Sequence, residues 1–128
     1  MKRSQGFTVI EVIVVILFLG VVTTLLLIQR NNLEAAGRDD RRKTAINAIY
    51  FNLEEVFFKK NGHYPAEITS KKLPAMDPEL LTDPNGVKIG EAESDYRYEG
   101  LNCTNDKCKG YKLTAELEKE AVYEKTNR

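Results

Sequence analysis

The chain opens with an almost uninterrupted apolar run that stops sharply after residue 28. Of the 22 residues from Phe7 to Ile28, 17 are apolar and one, Glu11, can carry a charge. A helix of this length reaches about 33 Å, enough to cross a hydrocarbon core of about 30 Å. In lipid a lone segment must satisfy its own backbone groups, and only a helix does so. The pattern therefore predicts a transmembrane helix over residues 7–28.

A second apolar pattern, with helical spacing, follows the run. Apolar side chains recur at intervals of three and four residues, at Ala45, Ile46, Ile49, Leu53, Val56 and Phe57. This periodicity predicts an amphipathic helix over residues 29–61. Asp39 and Lys43 stand at i, i+4 among other charged residues, which predicts a solvated first half. The Asn61-Gly62 pair, with Pro65 just beyond it, predicts the end of the helix.

The remaining residues carry turn and strand patterns. Residues 62–86 hold all four prolines and predict a connecting loop with one helical turn near Pro78–Leu81. Period-2 alternation and turn residues predict short strands at Val87–Gly90, Asp95–Leu101 and Tyr111–Leu117, with a final piece at Ala121–Tyr123. A long helix packed on a small antiparallel sheet is an α+β fold, with residues 87–128 supplying the sheet.

Charge changes this picture in two ways. The chain has 19 Lys and Arg against 19 Asp and Glu, and this balance argues against a general nucleic-acid binder. Lys2 and Arg3 precede the apolar run, so the positive-inside rule places the N-terminus in the cytoplasm. A cleaved secretory signal would have a shorter apolar core and an Ala-x-Ala-like site. An acid within a membrane segment costs about 2.5–3.5 kcal/mol, which indicates that Glu11 has a function.

The N-terminal residues carry the most specific pattern, Lys2-Arg3-Ser4-Gln5-Gly6-Phe7-Thr8-Val9-Ile10-Glu11-Val12. This segment resembles the class III signal of type IV prepilins and type II secretion pseudopilins. The resemblance implies a leader of residues 1–6, cleavage by prepilin peptidase between Gly6 and Phe7, and N-methylation of Phe7. It makes Glu11 the family's glutamate. It further implies the type IV pilin fold, with the membrane-spanning half of the helix forming a filament core and residues 29–128 forming the globular head.

The position of Glu11 also has a physical reading. In a bundle of packed stems its carboxylate loses access to water, so it must be paired or neutralised. The methylated ammonium of Phe7 in an adjacent subunit keeps its charge and is the natural partner. Such a pair penalises wrong registers, so we expect it to provide specificity more than raw stability.

Two further elements and a cysteine pair fit this resemblance. Residues Gly62-His63-Tyr64-Pro65 resemble the G-x-Y-P element that closes the long helix in pseudopilins and small pilins, and residues 83–86 resemble the D-P-x-G that precedes the sheet in major pseudopilins. Cys103 and Cys108, the only cysteines, predict a disulfide around a short loop between the last strands in a head outside the cytoplasm. Zinc is disfavoured because two Cys and one His leave its shell short of ligands.

No catalytic constellation is present in the sequence, so we expect no enzyme. Major pseudopilins often hold calcium between strands, so the oxygen donors Asp83, Asn85, Asp95 and Asp106 are candidate calcium ligands. They lack a recognisable ligand spacing, which favours solvated turns over a calcium site. A contact with DNA in an uptake pilus would use lysines, at positions Lys59, Lys60, Lys71, Lys72, Lys107, Lys109 and Lys112. Interleaved acids favour a solvated face for these residues, and nucleic-acid binding stays open.

The resemblance implies a structural subunit of a type IV pilus or pilus-like filament, serving motility, adhesion or DNA uptake. Its partners would be copies of itself and other pilins, prepilin peptidase, an assembly platform with its ATPase, and the membrane before assembly. The precursor would cross the cytoplasmic (inner) membrane once, and the assembled filament would be extracellular or periplasmic. The first alternative is a pseudopilin of a type II secretion or competence system. The second is a membrane-anchored binding domain that does not polymerise.

Overall fold

The computed structural model of this chain describes residues 5–128. These residues divide into two units, the first ending at Glu34 and the second comprising Ala35–Arg128. We call residues 5–34 the stem unit and Ala35–Arg128 the head unit. The leader cations Lys2 and Arg3 lie outside the described residues. The predicted α+β class is confirmed, since an N-terminal helix is followed by a small antiparallel sheet.

Helix α1, Val9–Phe51, begins two residues later than the predicted start at Phe7. It continues into a π-helical segment, Asn52–Phe57, and then into helix α2, Phe58–Asn61. Gly62 ends the run with φ +72°, and its N–H donates to the carbonyl of Phe58 at 2.7 Å. Glycine adopts this left-handed conformation without the steric cost that a Cβ would add. The predicted end of the helix is therefore confirmed.

The π-helical segment was not predicted, and it changes which side chains are buried. A strict 3.6-residue period from Leu53 would bury Val56 and Phe57, but Val56 is exposed and Phe57 only half-buried. A π turn is one residue wider than an α turn, so the side chains that follow it rotate away from their expected face. Glu54 occupies the buried position instead.

Two tyrosines explain how an acid is tolerated there. The hydroxyls of Tyr64 and Tyr111 donate to the carboxylate of Glu54 at 3.0 and 2.9 Å. A buried carboxylate with such donors avoids the cost of an unsatisfied charge. Burial, with the neighbouring Glu54 charge, raises the pKa of Tyr64 to about 12, and it raises the pKa of Tyr111 as well. Both hydroxyls therefore remain donors at neutral pH.

The sheet is organised around one central strand. Its strands are β1 (Tyr64–Pro65), β2 (Tyr96–Thr104), β3 (Lys107–Ala115) and β4 (Tyr123–Thr126). Strand β3 pairs antiparallel with each of the other three. Its alternate residues Tyr111, Leu113 and Ala115 are fully buried, and Ala45, Ile46, Ile49 and Leu53 of the helix belong to the same core.

Several predicted strand limits are wrong. Residues Val87–Gly90 form turns around one isolated bridge, Thr82 to Lys88, and no strand, because Gly86 and Gly90 take φ of +85° and +94°. The third predicted strand starts four residues earlier than expected and stops at Ala115. The predicted helical turn is confirmed as a 3₁₀ helix, Pro78–Leu81, capped by the Asp77 side chain. Strand β1 was not predicted, because Pro65 lacks the N–H that a strand inside a sheet donates. Here β1 lies at the edge of the sheet, where a proline is accepted.

Cys103 and Cys108 are directly opposite each other on β2 and β3 and form a disulfide. The predicted pairing is confirmed, and the short enclosed loop joins β2 to β3, as the sequence predicts. Asn105 and Asp106 make the turn with φ of +51° and +67°. Positive φ at both central residues matches the twist of the flanking strands, and Asn and Asp tolerate it best after glycine.

The disulfide has a steric requirement at Gly100. A Cβ at this position would lie 2.6 Å from Cys108 Sγ and 2.8 Å from Cys103 Sγ. We expect Gly100→Ala to lower the free energy of unfolding by about 1–3 kcal/mol. The loss should be smaller in a Cys103→Ala/Cys108→Ala background, where the sulfurs are gone. Urea unfolding of the full chain in detergent, followed by the tyrosine near-UV circular dichroism, measures both values.

Gly37→Ala is the matched control, because a Cβ there meets nothing within 4 Å. Alanine in a helix interior is expected to be neutral or stabilising, by up to about 1 kcal/mol. An equal cost of Gly100→Ala with and without the cysteines would contradict the steric explanation.

Candidate functional site

The first candidate site is the segment that precedes helix α1. Gly6 and Phe7 are exposed and lie outside any helix or strand, with 78% of Phe7 accessible to solvent. A protease binds its substrate as an accessible, non-helical segment, because helical backbone groups are already bonded to one another. The bond between Gly6 and Phe7 meets this condition.

Glu11 has a partner within its own helix turn. Its N–H donates to the Thr8 hydroxyl at 3.3 Å, and the Thr8 N–H donates to the Glu11 carboxylate at 3.4 Å. This reciprocal arrangement is a capping box, which satisfies two N–H groups that the start of a helix leaves open. Thr8 was not among the predicted site residues, although the Thr-x-x-Glu spacing before an apolar run is the signature of a capping box.

The position of Glu11 at the start of the helix also affects the electrostatic energy of its charge. The carboxylate sits in the first turn of α1, where the helix dipole favours negative charge. The cap and the helix dipole thus give the Glu11 carboxylate some stabilisation within one molecule. A partner in an assembled bundle would compete with, or add to, the bond from Thr8.

The stem unit leaves its apolar side chains uncovered. Ile10, Leu17 and Phe18 are each more than 60% exposed, and the other apolar residues of the run are exposed or half-exposed. By length and composition, the helix is long and apolar enough to cross a membrane, which agrees with the predicted transmembrane segment. Within residues 5–34 nothing buries this surface, and an apolar environment would be favourable for it.

The head unit contains a buried ionic cluster where the sequence predicted a solvated helix face. Asp39 and Arg42 are each 2% exposed, and Arg42 Nη1 donates to Asp39 at 2.9 Å. Arg42 also donates to Asp95 through Nε at 3.0 Å and Nη2 at 2.8 Å. The prediction of a solvated first half is wrong for Asp39 and Arg42, while Lys43 bonds to Glu120 at 2.7 Å.

Backbone donors complete this cluster. Both carboxylate oxygens of Asp39 accept N–H groups at 2.9 Å, from Glu118 and from Lys119. Burial alone would raise the pKa of Asp39, but these two bonds and the Arg42 guanidinium together lower it. Asp39 is thus ionised at neutral pH and fixes the loop after β3 onto the helix.

Three of the four calcium candidates, Asp83, Asn85 and Asp95, come together before β2, whereas Asp106 lies apart from them. Asp83 accepts from the N–H groups of Asn85, Val87 and Asp95 at 2.9 Å each, while the Asn85 side chain donates to Asp95. Asp106 lies in the β2–β3 turn and pairs with Lys72 at 2.9 Å. Among residues 5–128 no group of three or more His, Cys, Asp or Glu side chains is placed to hold a metal ion. The preference for turn residues over calcium ligands stays a prediction, and the hydrogen bonds that these oxygens already accept are in line with it.

Comparisons with protein-family models, with curated proteins and with solved structures find no match for this chain.

The buried cluster yields a matched pair of substitutions. Arg42→Met leaves Asp39 and Asp95 without their shared cation, and we expect it to cost about 3–5 kcal/mol of unfolding free energy. Arg38→Met removes an exposed pair with Glu118, whose two side chains are 38% and 37% exposed, and should cost below about 1 kcal/mol. Urea unfolding of both variants tests this difference, and equal costs would contradict the burial argument.

The lowered pKa of Asp39 predicts the pH dependence of stability. A carboxyl whose pKa is lower in the folded state stabilises fully above its unfolded pKa of about 3.9, and this contribution is lost as the pH falls through the folded value. The stability difference between the unaltered chain and Asp39→Asn should therefore be constant near pH 7 and shrink below about pH 4. Unfolding curves at several pH values measure it, and a difference that grows on acidification would refute the assignment.

Proposed function

We propose that this chain is a structural, non-enzymatic subunit of a type IV pilus or pilus-like filament. It is cut between Gly6 and Phe7 and polymerises through its stem unit. The observation that carries the proposal is the sequence Lys2–Val12, in which basic leader residues, glycine, phenylalanine and glutamate stand in the order and spacing of a class III prepilin signal.

The geometry of the stem unit supports this proposal. The Gly6–Phe7 bond is exposed and precedes the first helical turn by two residues, where a peptidase can reach it. The exposed apolar side chains that follow are suited to lipid before assembly and to neighbouring stems afterwards. A filament core provides both the burial and the repeated contacts that such a surface requires.

The head unit supports the proposal less specifically. Its helix packed on a small antiparallel sheet agrees with a pilin-type head, and its disulfide fits a compartment outside the cytoplasm, where such bonds persist. By the same resemblance, prepilin peptidase, an assembly platform and an ATPase would be the partners of the precursor.

A pseudopilin of a type II secretion or competence system is the second candidate. Its supporting observation is the pair of turn elements that resemble that group. Gly62 to Pro65 ends the helix and forms the edge strand β1, and Asp83 to Gly86 forms a turn in which the Gly86 N–H donates to the Asp83 carbonyl at 3.0 Å. Electron microscopy of material sheared from cells separates the candidates, since long surface fibres favour a pilus and their absence favours a short periplasmic fibre.

Mass spectrometry of the protein recovered from cells tests the processing step. The expected N-terminus is a methylated Phe7, and Gly6 deletion should abolish both cleavage and filament formation. Filaments built from protein that begins at Met1 would refute the proposal. Correct cleavage without any polymer would leave the membrane-anchored binding domain as the better description.

Substitutions at Glu11 separate its charge from its capping bond. Glu11→Gln keeps an acceptor for the Thr8 N–H but removes the charge, whereas Glu11→Leu removes both. If the carboxylate pairs with the Phe7 ammonium of a neighbour, both variants should insert in the membrane yet lower the yield of sheared filaments by more than about tenfold, since breaking a buried pair costs several kcal/mol.

Thr8→Val and Glu34→Gln are the controls for this experiment. The first weakens the cap but leaves the charge, and the second removes an exposed stem acid that pairs with Arg30. Both are expected to retain at least half of the filament yield. Normal assembly of Glu11→Gln together with failure of Glu11→Leu would show that the capping bond, and not the charge, is what assembly needs.

A further inference from the structure

Lysines without ion pairs gather at one end of the head unit. Within residues 5–128, no salt bridge involves Lys60, Lys71, Lys107 or Lys109, and all four are exposed. Lys107 and Lys109 line one surface groove, and Lys60 and Lys71 line another. Two exposed acids, Glu67 and Asp106, lie near them, and Asp106 is paired with Lys72. We call this region the basic end.

Exposed acids gather at the opposite end of the same unit. Asp40, Asp77 and Glu79 line one groove, and Glu91 and Glu93 lie in the turn that leads to β2. None of these five forms an ion pair within the described residues. We call this region the acidic end.

The acidic end is an ordered surface and not a uniformly negative one. The Glu91 N–H donates to the Lys88 carbonyl at 3.2 Å, and the Ser94 N–H donates to the Glu91 carbonyl at 3.1 Å, so the turn that carries Glu91 and Glu93 has a defined shape. Arg41 and Lys88 are exposed cations nearby, and so is Arg97, whose charge is paired with Glu116. The five unpaired acids remain in excess of Arg41 and Lys88.

Strand pairing fixes which end each group occupies. The first residue of β3, Lys107, lies opposite Pro65, just after the helix has ended. The last residue of β3, Ala115, lies opposite Tyr96, two residues from Ser94, and the Arg42–Asp95 bond ties this end to the early part of the helix. Nine strand residues separate the two ends by about 27 Å.

This separation means that the two ends do not stabilise each other within one molecule. Exposed charges are screened beyond about 8–10 Å at physiological ionic strength. At each end the like charges repel, so the arrangement costs stability within the monomer. Its benefit must come from contact with another molecule.

We propose that the basic end of one head unit docks on the acidic end of the head unit of a second copy. The chain carries both complementary surfaces, so one kind of molecule satisfies both. A contact between two different surfaces of identical subunits repeats without closing, unless its rotation closes a ring, and it therefore extends a filament. The inference rests on the proposed function, because it assigns a contact between heads to the same assembly. DNA would use only the basic end and would be repelled by the other.

Charge exchange in the full-length chain tests the contact. Lys107→Glu/Lys109→Glu and Glu91→Lys/Glu93→Lys are each expected to lower the yield of sheared filaments at least tenfold. The variant with all four changes has the original net charge and should recover most of the yield, because the attraction is restored with the signs exchanged. Recovery also shows that the substituted heads fold.

Lys109→Glu and Lys88→Glu form the matched pair of single changes. Both exchange an exposed lysine for glutamate, but Lys88 lies at the acidic end, so only Lys109→Glu should weaken assembly and increase its sensitivity to salt. Equal yields from these two variants would overturn the inference.

Two other outcomes distinguish this inference from the proposed function. If the unaltered chain forms filaments and both double variants form them equally well, the contact between heads is refuted while the filament subunit stands. If the unaltered chain forms none, the proposed function itself fails. Retention of filaments by Lys107→Glu/Lys109→Glu, with loss of binding to a duplex DNA probe in a gel-shift assay, would assign the basic end to nucleic acid instead.

Discussion

The apolar surface of the stem unit is the constraint on which the other features depend. A helix with apolar side chains on every face has no arrangement within its own unit that removes them from water, and by length and composition it suits a membrane. In a membrane, β-branched residues adopt a helix because only a helix satisfies the backbone groups of a single segment. The one carboxylate of the segment lies in the first turn, where N–H groups at the start of the helix are free to bind it. The reciprocal bonds between Thr8 and Glu11 give the acid a local role that is compatible with a later role between molecules.

Carboxylates perform a common task in the head unit, which is to hold loops by accepting backbone N–H groups. Asp39 fixes the segment after β3, Asp83 fixes the turn before β2, and Asp106 accepts the N–H of Ala66 beside β1. Each of these hydrogen bonds replaces a bond to water and fixes the position of the loop. Because the acceptor is charged, the bond is stronger than one to a neutral acceptor. Acids that the sequence suggests as metal ligands or as solvated surface residues thus serve, in large part, to hold the backbone of loops in place.

The structural features that could be predicted from the sequence are those that depend on residues close together in the chain. The end of the helix at Gly62, the 3₁₀ turn at Pro78 and the pairing of two cysteines five positions apart all follow from residues close together in the chain. The burial of Asp39 and Arg42 depends on Asp95 and on backbone donors about 80 residues away, and no pattern within the helix reveals them. The burial of Glu54 in the π-helical segment likewise involves partners distant in the sequence, the hydroxyls of Tyr64 and Tyr111. The role of Thr8, by contrast, is local: the Thr-x-x-Glu spacing is present in the sequence and is enough to predict its capping bond with Glu11.

The central position of β3 has a consequence for biosynthesis. Every other strand bonds to it, and the segment after it holds the helix through Asp39, so no part of the sheet is complete until Ala115 has left the ribosome. The stem emerges some 80 residues earlier, and its hydrocarbon-rich surface can partition into the bilayer at once. Synthesis of the sheet therefore lags well behind synthesis of the stem helix, and the head unit folds only after most of the chain has been made.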